Sequence, residues 1–232
     1  MARPRGHGPQ YETRRQEIIR TAAGLFAERS FGRTTLDDIC AAVGLGKGAL
    51  YHYIGSKEEL LLEIQAAVLR PLTVRALAIT ALPGSALARL RLVSELLLRT
   101  IFAERDLVVV YEHDQGHLTG PRRERFVADR GDFEAIVTAL IGECVAERSF
   151  TLDDTHLAML EFLNLHNHTY QWVHSRGPWT GPFLSERYCA VLFVGFGLER
   201  SRLAALEEEV GALLAGHEID MPEVAHGTTL VR

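Results

Sequence analysis

Apolar side chains recur at helical spacing between residues 35 and 60. Leu36, Ile39, Ala42 and Val43 form one stripe, Gly44 ends it, Leu45 stands at the corner, and a second short helix is predicted from about Lys47 to Tyr53. Thr35 with Asp38 three residues on has the form of a capping box, and Ser56 with Glu59 repeats it where a third helix opens. Two short helices around a glycine corner make a helix-turn-helix, whose second helix has the length to enter a major groove. Further along, the pattern predicts helices from Ser56 to about Thr80, from Ser85 to about Ala103 and from Asp106 to about His117. Others follow from Pro121 to about Arg148, from Leu152 to about Arg176, and from Ser185 to about Gly216. With one helix before the motif the total is about nine, no segment alternates as a strand would, and the fold class is all-α. The expected organisation is a reading unit over 1–57, a helical remainder over 58–216 and a loose tail over 217–232, with the boundary carried inside a helix.

The first stretch resembles the amino-terminal domain of TetR/AcrR-type transcriptional regulators. The residues that carry the resemblance run from Ile18, Ala22, Ala23, Leu25 and Phe26 through Phe31-Gly32-Arg33-Thr34-Thr35 and Asp38-Ile39. They continue with Ala42, Val43-Gly44, Lys47-Gly48, Leu50-Tyr51-His52-Tyr53 and Ser56-Lys57-Glu58-Glu59-Leu60. Gly46 departs from the family pattern, which often has Ser there, and Ile54 replaces the usual Phe. The resemblance implies a three-helix DNA-binding domain followed by a helical ligand-binding and dimerisation domain. It implies contact with a palindromic operator in double-stranded DNA through Arg33, Thr35, Lys47, Gly48, Ala49, Tyr51, His52, Tyr53 and Lys57. Lys57 and Tyr51 are expected on phosphates; Lys47, Ala49 and His52 are expected at base edges.

Charge fits that division. The chain has 232 residues and a net charge of −5, yet residues 1–57 hold nine Lys and Arg against five Asp and Glu, while the remainder holds sixteen against twenty-five. Positive charge is therefore gathered where phosphates would be met. Lys47 and Lys57 are the only lysines, both at helix starts in the motif. The segment Met1 to Gln10, with Arg3 and Arg5, reads as a flexible arm. Hydrophobic residues make up 47% and charged residues 24%, the composition of an ordinary globular protein. Cys40, Cys144 and Cys189 are far apart and odd in number, which fits reduced, buried thiols. With no leader pattern and no long apolar run, a cytoplasmic location and no membrane partner are expected.

The later half carries a second resemblance. Tyr111-Glu112-His113, Gly116-His117-Leu118, Arg122-Arg123, Arg130, Phe133 and Asn167-His168-Thr169-Tyr170-Gln171-Trp172 look like the carboxy-terminal domain of TetR regulators that control steroid and fatty-acid breakdown. That similarity implies a hydrophobic effector, with acyl-CoA thioesters as a class. Helical bundles hold ligands in mostly apolar spaces with a few polar points. Phe102, Val109, Phe126, Phe133, Val137, Phe162, Tyr170 and Trp172 are candidate walls, and Glu112, His113, Asn164 and His168 candidate polar points. Arg122, Arg123 and Arg125 are candidates for an anionic end. A helix-turn-helix that reads half-sites in pairs implies a homodimer, expected through the last two helices by way of Leu157, Leu160, Leu163 and Leu165 and of Leu192, Phe193, Phe196, Leu203, Leu206 and Leu213.

Other classes have less support. His113 and His117, four apart on an expected helix face, could clasp a metal with Glu112, which would make a metal-responsive regulator of the same fold. No cofactor is expected. Catalysis lacks a constellation, since there is no phosphate loop on a strand and no nucleophile elbow. A helical small-molecule-binding protein without regulatory DNA binding is the remaining alternative.

Overall fold

The computed structural model describes residues 8–173 and 177–223, and every regular element among them is helical. Ten α-helices run in the order α1 (Pro9–Arg29), α2 (Leu36–Val43), α3 (Lys47–Ile54), α4 (Lys57–Thr80), α5 (Ala86–Ala103), α6 (Arg105–His113), α7 (Gly120–Ala146), α8 (Thr155–Asn167), α9 (Gly181–Gly195) and α10 (Leu203–Gly216). Residues 1–7 of the expected arm lie outside the described residues, while Pro9 and Gln10 already belong to α1.

Two compact units divide the chain, and neither is contiguous. The first is built from residues up to Val68 together with Asp106–Val127, and the second from Leu69–Arg105 together with the residues from Ala128 onward. All three boundaries fall inside a helix or at its start, α4 and α7 each running past a division and α6 beginning at the third.

Local chemistry sets the helix limits in the first unit. Thr35 accepts from the Asp38 amide at 3.1 Å while the Asp38 carboxylate accepts the Thr35 amide at 2.7 Å, so the predicted capping box is formed. Gly44 ends α2 in the left-handed region at φ 66°, where a side chain would be strained, and the Leu45 amide returns to the Cys40 carbonyl at 3.0 Å. Ser56 accepts from the Glu59 amide at 3.0 Å. Ile18, Ala22, Phe26, Ile39, Leu50, Leu60 and Ile64 are fully buried and form the core of this unit.

The second unit is organised around α5, which is buried along almost its whole length and packs against α8, α9 and α10. Its first turn is capped from three sides. Ser85 accepts from the Ala88 amide at 3.1 Å, the Ser85 amide donates to Glu209 at 2.7 Å, and the Ala86 amide donates to Glu147 at 3.1 Å. Three carboxylate and hydroxyl groups thus satisfy amides that a helix start leaves orphaned.

Three differences from the expected elements have physical causes. α8 ends at Asn167, where a 3₁₀ turn over His168–Gln171 follows, so the helix does not continue to Arg176; residues 174–176 lie outside the described residues. The helix expected from Ser185 to Gly216 starts earlier, at Gly181 with Thr180 as its cap, and is two helices, because Gly197 takes φ 98°. There Phe196 gives its carbonyl to the Thr151 amide at 2.8 Å, and a Cβ on Gly197 would come within 3.1 Å of the Thr151 nitrogen. The stretch 217–223 is anchored, since Asp220 accepts from Arg75 at 2.8 and 3.3 Å and Ile219 and Met221 pack on the core of the second unit. Residues 224–232 of the expected tail lie outside the described residues.

Candidate nucleic-acid interface

α3 presents one face to its own unit and one to solvent. Leu50 and Ile54 are buried, whereas Lys47, Gly48, Ala49, Tyr51 and His52 are exposed, Tyr51 by 46%. A helix of eight residues is marginal alone, so its orientation depends on what grips it. Tyr11 of α1 supplies one grip: its hydroxyl donates to the His52 carbonyl at 3.0 Å and its ring stacks on Tyr53 at 4.7 Å. Arg14 supplies another by donating to the Val43 carbonyl at the end of α2. Arg15 pairs with Glu63 at 2.9 Å and fastens α1 to α4. Neither Tyr11 nor Arg14 stood out in the sequence, because their partners lie tens of residues away.

Several expected contact residues are already engaged. The Thr35 hydroxyl is occupied by the capping box, donating to Asp38 at 2.6 Å. Lys47 pairs with Asp37 at 2.9 Å, an exposed bridge that raises the lysine pKa chiefly through the hydrogen bond to Asp37. Lys57 is turned inward. Its ammonium donates to the Phe31 carbonyl at 2.6 Å and lies 4.1 Å from the centre of the Phe31 ring. Burial holds that ammonium below its ordinary pKa, against the opposing charges of Glu58 and Asp114. Arg33 is exposed beside the α1–α2 turn.

The start of α3 is bare. Gly46 is its N-cap and no side chain accepts from its first amides, so the departure from the family pattern has a structural counterpart. A Cβ on Gly48 would meet nothing within 4 Å. Packing within the chain therefore does not require glycine there, although glycine costs a helix interior about 1 kcal/mol relative to alanine.

The candidate effector residues fall in both units. Val109, Glu112, His113 and Phe126 belong to the first; Phe102, Phe133, Val137, Phe162, Asn164, His168, Tyr170 and Trp172 belong to the second. Phe126, Val137 and Phe162 are completely buried, and Phe102, Val109, Phe133 and Tyr170 nearly so. Asn164, His168 and His113 are exposed, and Trp172 is 42% exposed with its ring edge-on to Trp179 at 5.6 Å. His168 bonds back to the Asn164 carbonyl at 2.9 Å. Of the arginines considered for an anionic end, Arg122 pairs with Glu59 at 2.9 Å. His113 and His117 do not share a helix face, because α6 ends at His113 and His117 lies in a separate 3₁₀ turn. Among the described residues no group of three or more His, Cys, Asp or Glu is placed to hold a metal ion.

One polar assembly was invisible in the sequence. In the second unit Arg91 and Glu95 are only 3% and 2% exposed. Arg91 donates to both oxygens of Glu207 at 2.9 and 3.1 Å and to the Ser185 hydroxyl at 2.6 Å. Ser185 donates to Ser94 at 2.7 Å, and Ser94 meets His166 Nε2 at 2.6 Å. His166 Nδ1 donates to the Phe162 carbonyl at 2.6 Å. Each hydroxyl has one proton, so the chain runs one way, from Arg91 to His166, and the imidazole is neutral with its proton on Nδ1. Burial, helped by the positive charge of Arg91, lowers the His166 pKa from 6.5 to about 4.

Comparison with known proteins decides the family. Residues 18–64 match the bacterial regulatory proteins of the tetR family, and residues 83–196 match the tetracyclin repressor-like C-terminal domain. The chain belongs to the tetR family. Among curated relatives it is 27% identical over 192 residues to the HTH-type transcriptional repressor KstR2 of Mycobacterium tuberculosis, covering 82% of this chain and 96% of that one. The solved structure of the ketosteroid transcriptional regulator KstR2 from that organism aligns with a TM-score of 0.73 at 26% identity, over 83% of this chain and 98% of the other. The tetR-family regulator PfmR of Thermus thermophilus aligns with a TM-score of 0.71 at 27% identity, over 76% and 97%. As in other tetR-family chains, α2 and α3 with their glycine corner form the helix-turn-helix, and no described helix is long and apolar enough to cross a membrane.

Proposed function

We propose that this tetR-family chain is a homodimeric, ligand-responsive repressor that releases operator DNA when a small hydrophobic effector binds. The observation that carries the reading is the outward face of α3. Lys47, Ala49, Tyr51 and His52 stand clear of the core, and Gly48 keeps the backbone approachable where the fold itself makes no demand for glycine. The uncapped amides at Gly46 favour an anion at the helix start. Lys47, Ala49 and His52 read base edges. Tyr51, Arg33 and Tyr53 meet the backbone, and Lys57, which has two ammonium protons left after its bond to Phe31, adds a phosphate contact. Thr35 contributes by holding α2 in register.

The residues that would touch DNA lie within 1–57, and the effector and dimer functions belong to 58–216. Of the apolar residues considered for the dimer, Leu163, Phe193, Phe196, Leu206 and Leu213 are consumed by this chain's own core, while Leu157 and Leu165 on α8 remain exposed. With Phe183 and the 68% exposed Val191 on α9, they supply the apolar surface that a second copy would cover. The effector class is an acyl-CoA thioester or a related steroid-derived acyl compound, supported by the resemblance to regulators of steroid breakdown and by the ketosteroid regulator among the relatives. Nothing in this reading calls for catalysis.

The test is the salt dependence of binding to a duplex selected from a random-sequence pool with the wild-type protein. Neutralisation of several phosphates across a dimer gives a slope of log affinity against log salt steeper than about −3. A slope near zero, or an unchanged base preference after replacing Lys47, Ala49 and His52 together, overturns the reading.

A further inference from the structure

Phe31, in the turn between α1 and α2, is held on every side within the first unit. Its carbonyl accepts from Lys57 at 2.6 Å, its ring lies beneath the Lys57 ammonium at 4.1 Å, and the ring of Phe26 meets it edge-on at 5.3 Å. The remaining two contacts come from a distant stretch of chain. The Phe31 amide donates to Asp114 Oδ1 at 3.4 Å, and the His117 ring lies against the Phe31 ring at 4.9 Å. His117 Nε2 is itself 3.8 Å from the same Asp114 oxygen.

Asp114 is an unusual residue for such a place. It is only 4% exposed, directly after the last residue of α6. A carboxylate that deep is costly unless it is paired or hydrogen-bonded, and the Lys57 ammonium, the His113 and His117 imidazoles and the Phe31 amide are what face it. The stretch that carries it is fixed to the reading unit at further points. Gln65 donates to the Val110 carbonyl at 3.3 Å, Arg122 pairs with Glu59 at 2.9 Å, and a Cβ on Gly24 of α1 would lie 3.7 Å from the Asp106 carboxylate.

We propose that Asp114 is a positioning residue for DNA binding, which locks the α1–α2 turn to the segment 106–118 through the Phe31 amide and so fixes the angle at which α2 and α3 are presented. The inference rests on the DNA-binding reading above. It assigns to a residue more than fifty positions beyond the helix-turn-helix a share in the affinity of that motif. Asp114 itself takes no phosphate, and a carboxylate would repel one. Its effect is felt equally by every sequence and leaves the number of phosphates contacted unchanged.

The experiment uses full-length Asp114→Ala and Asp114→Asn beside the wild type, the selected duplex as probe, and hydrogen exchange at the Phe31 amide as a readout that does not involve DNA. Asn keeps an oxygen for the amide; Ala keeps none. In Asp114→Ala the amide should exchange faster and affinity should fall about tenfold. The salt slope and base preference should not change, and Asp114→Asn should restore most of the loss. Affinity within twofold of wild type in Asp114→Ala overturns the proposal, as does a parallel loss in both variants accompanied by a large fall in melting temperature, which would mark a purely structural role. A wild-type protein that selects no duplex at all overturns the DNA-binding reading, and the proposal with it. That failure is told apart from failure of the lock alone by the wild-type arm.

Discussion

Charged side chains serve opposite ends around α3 in the first unit and around α5 in the second. Around α3 they stand in water: the Lys47–Asp37 bridge leaves 58% and 71% of the two side chains exposed, and Arg33 lies at the surface. Around α5 they are interior. Arg91 and Glu95 are sealed in, and the guanidinium is shared among Glu207, Ser185, Glu95 and the Pro182 carbonyl. An exposed pair contributes little to stability and is free to exchange its partner for a phosphate, whereas a buried set is costly to form and costlier to leave half made. Substitutions in the first setting should therefore register in binding, and those in the second should register in folding.

The largest effect is expected from Arg91→Met. It removes the hub and leaves Ser185 without its donor and Glu95 with Arg99 alone, at 2.8 Å. A loss of about 3–5 kcal/mol in denaturant unfolding is expected. A loss under about 1 kcal/mol would mean that the buried set is no different in kind from the surface pairs.

Next comes acid. The unfolded His166 takes up a proton near 6.5, and the folded one only near 4. Between those values the unfolded chain binds a proton that the folded chain refuses. The stabilising contribution is thus complete above about pH 6.5, declines as pH falls towards 4, and is level below that. Its size is on the order of 3 kcal/mol. His166→Phe should lose this pH dependence while the carboxylates keep theirs, and an unaltered profile would show that the imidazole accepts a proton in place.

The smallest effect belongs to the reading side. Gly46→Ser gives α3 the cap that α2, α5, α8 and α9 already have, and should stabilise the fold by a few tenths of a kcal/mol. Thermal unfolding of the variant measures it. A gain of several degrees would show that the bare start was a greater burden on this unit than its exposed charges suggest.

Legibility in the sequence followed the range of each interaction. The Thr35–Asp38 box, the Ser56 cap and the Gly44 stop act over three or four residues and were readable with the helices they delimit. The Arg91 hub joins positions 94 and 116 residues apart, so nothing near Arg91 distinguishes it from a surface arginine on a helix. Apolar periodicity could not find the end of α8, because Tyr170 and Val173 are buried in a 3₁₀ turn and beyond it much as they would be in a continuing helix. The division of the last helix had a signal in Gly195-Phe196-Gly197, and its meaning came only from the approach of Thr151. At the reading face the sequence identified residues of the right kind but not their engagements. Lys57 reads as a free cation at a helix start, and its turn towards Phe31 depends on an aromatic ring 26 positions earlier.

The reading unit is assembled from two separate stretches, the residues up to Val68 and the loop of chain from Asp106 to Val127. Such interleaving bears on how these regulators can be recombined. A splice inside α4, which looks natural because the helix-turn-helix ends just before it, would transplant a head while leaving Asp114, His117 and Arg122 behind in the recipient. The foreign segment would then have to supply a carboxylate for the Phe31 amide and a cation for Glu59. Exchange of heads between relatives should work only when the 106–127 stretch travels with the first 68 residues, so that inheritance of full DNA affinity is tied to a piece of sequence lying in the middle of the gene.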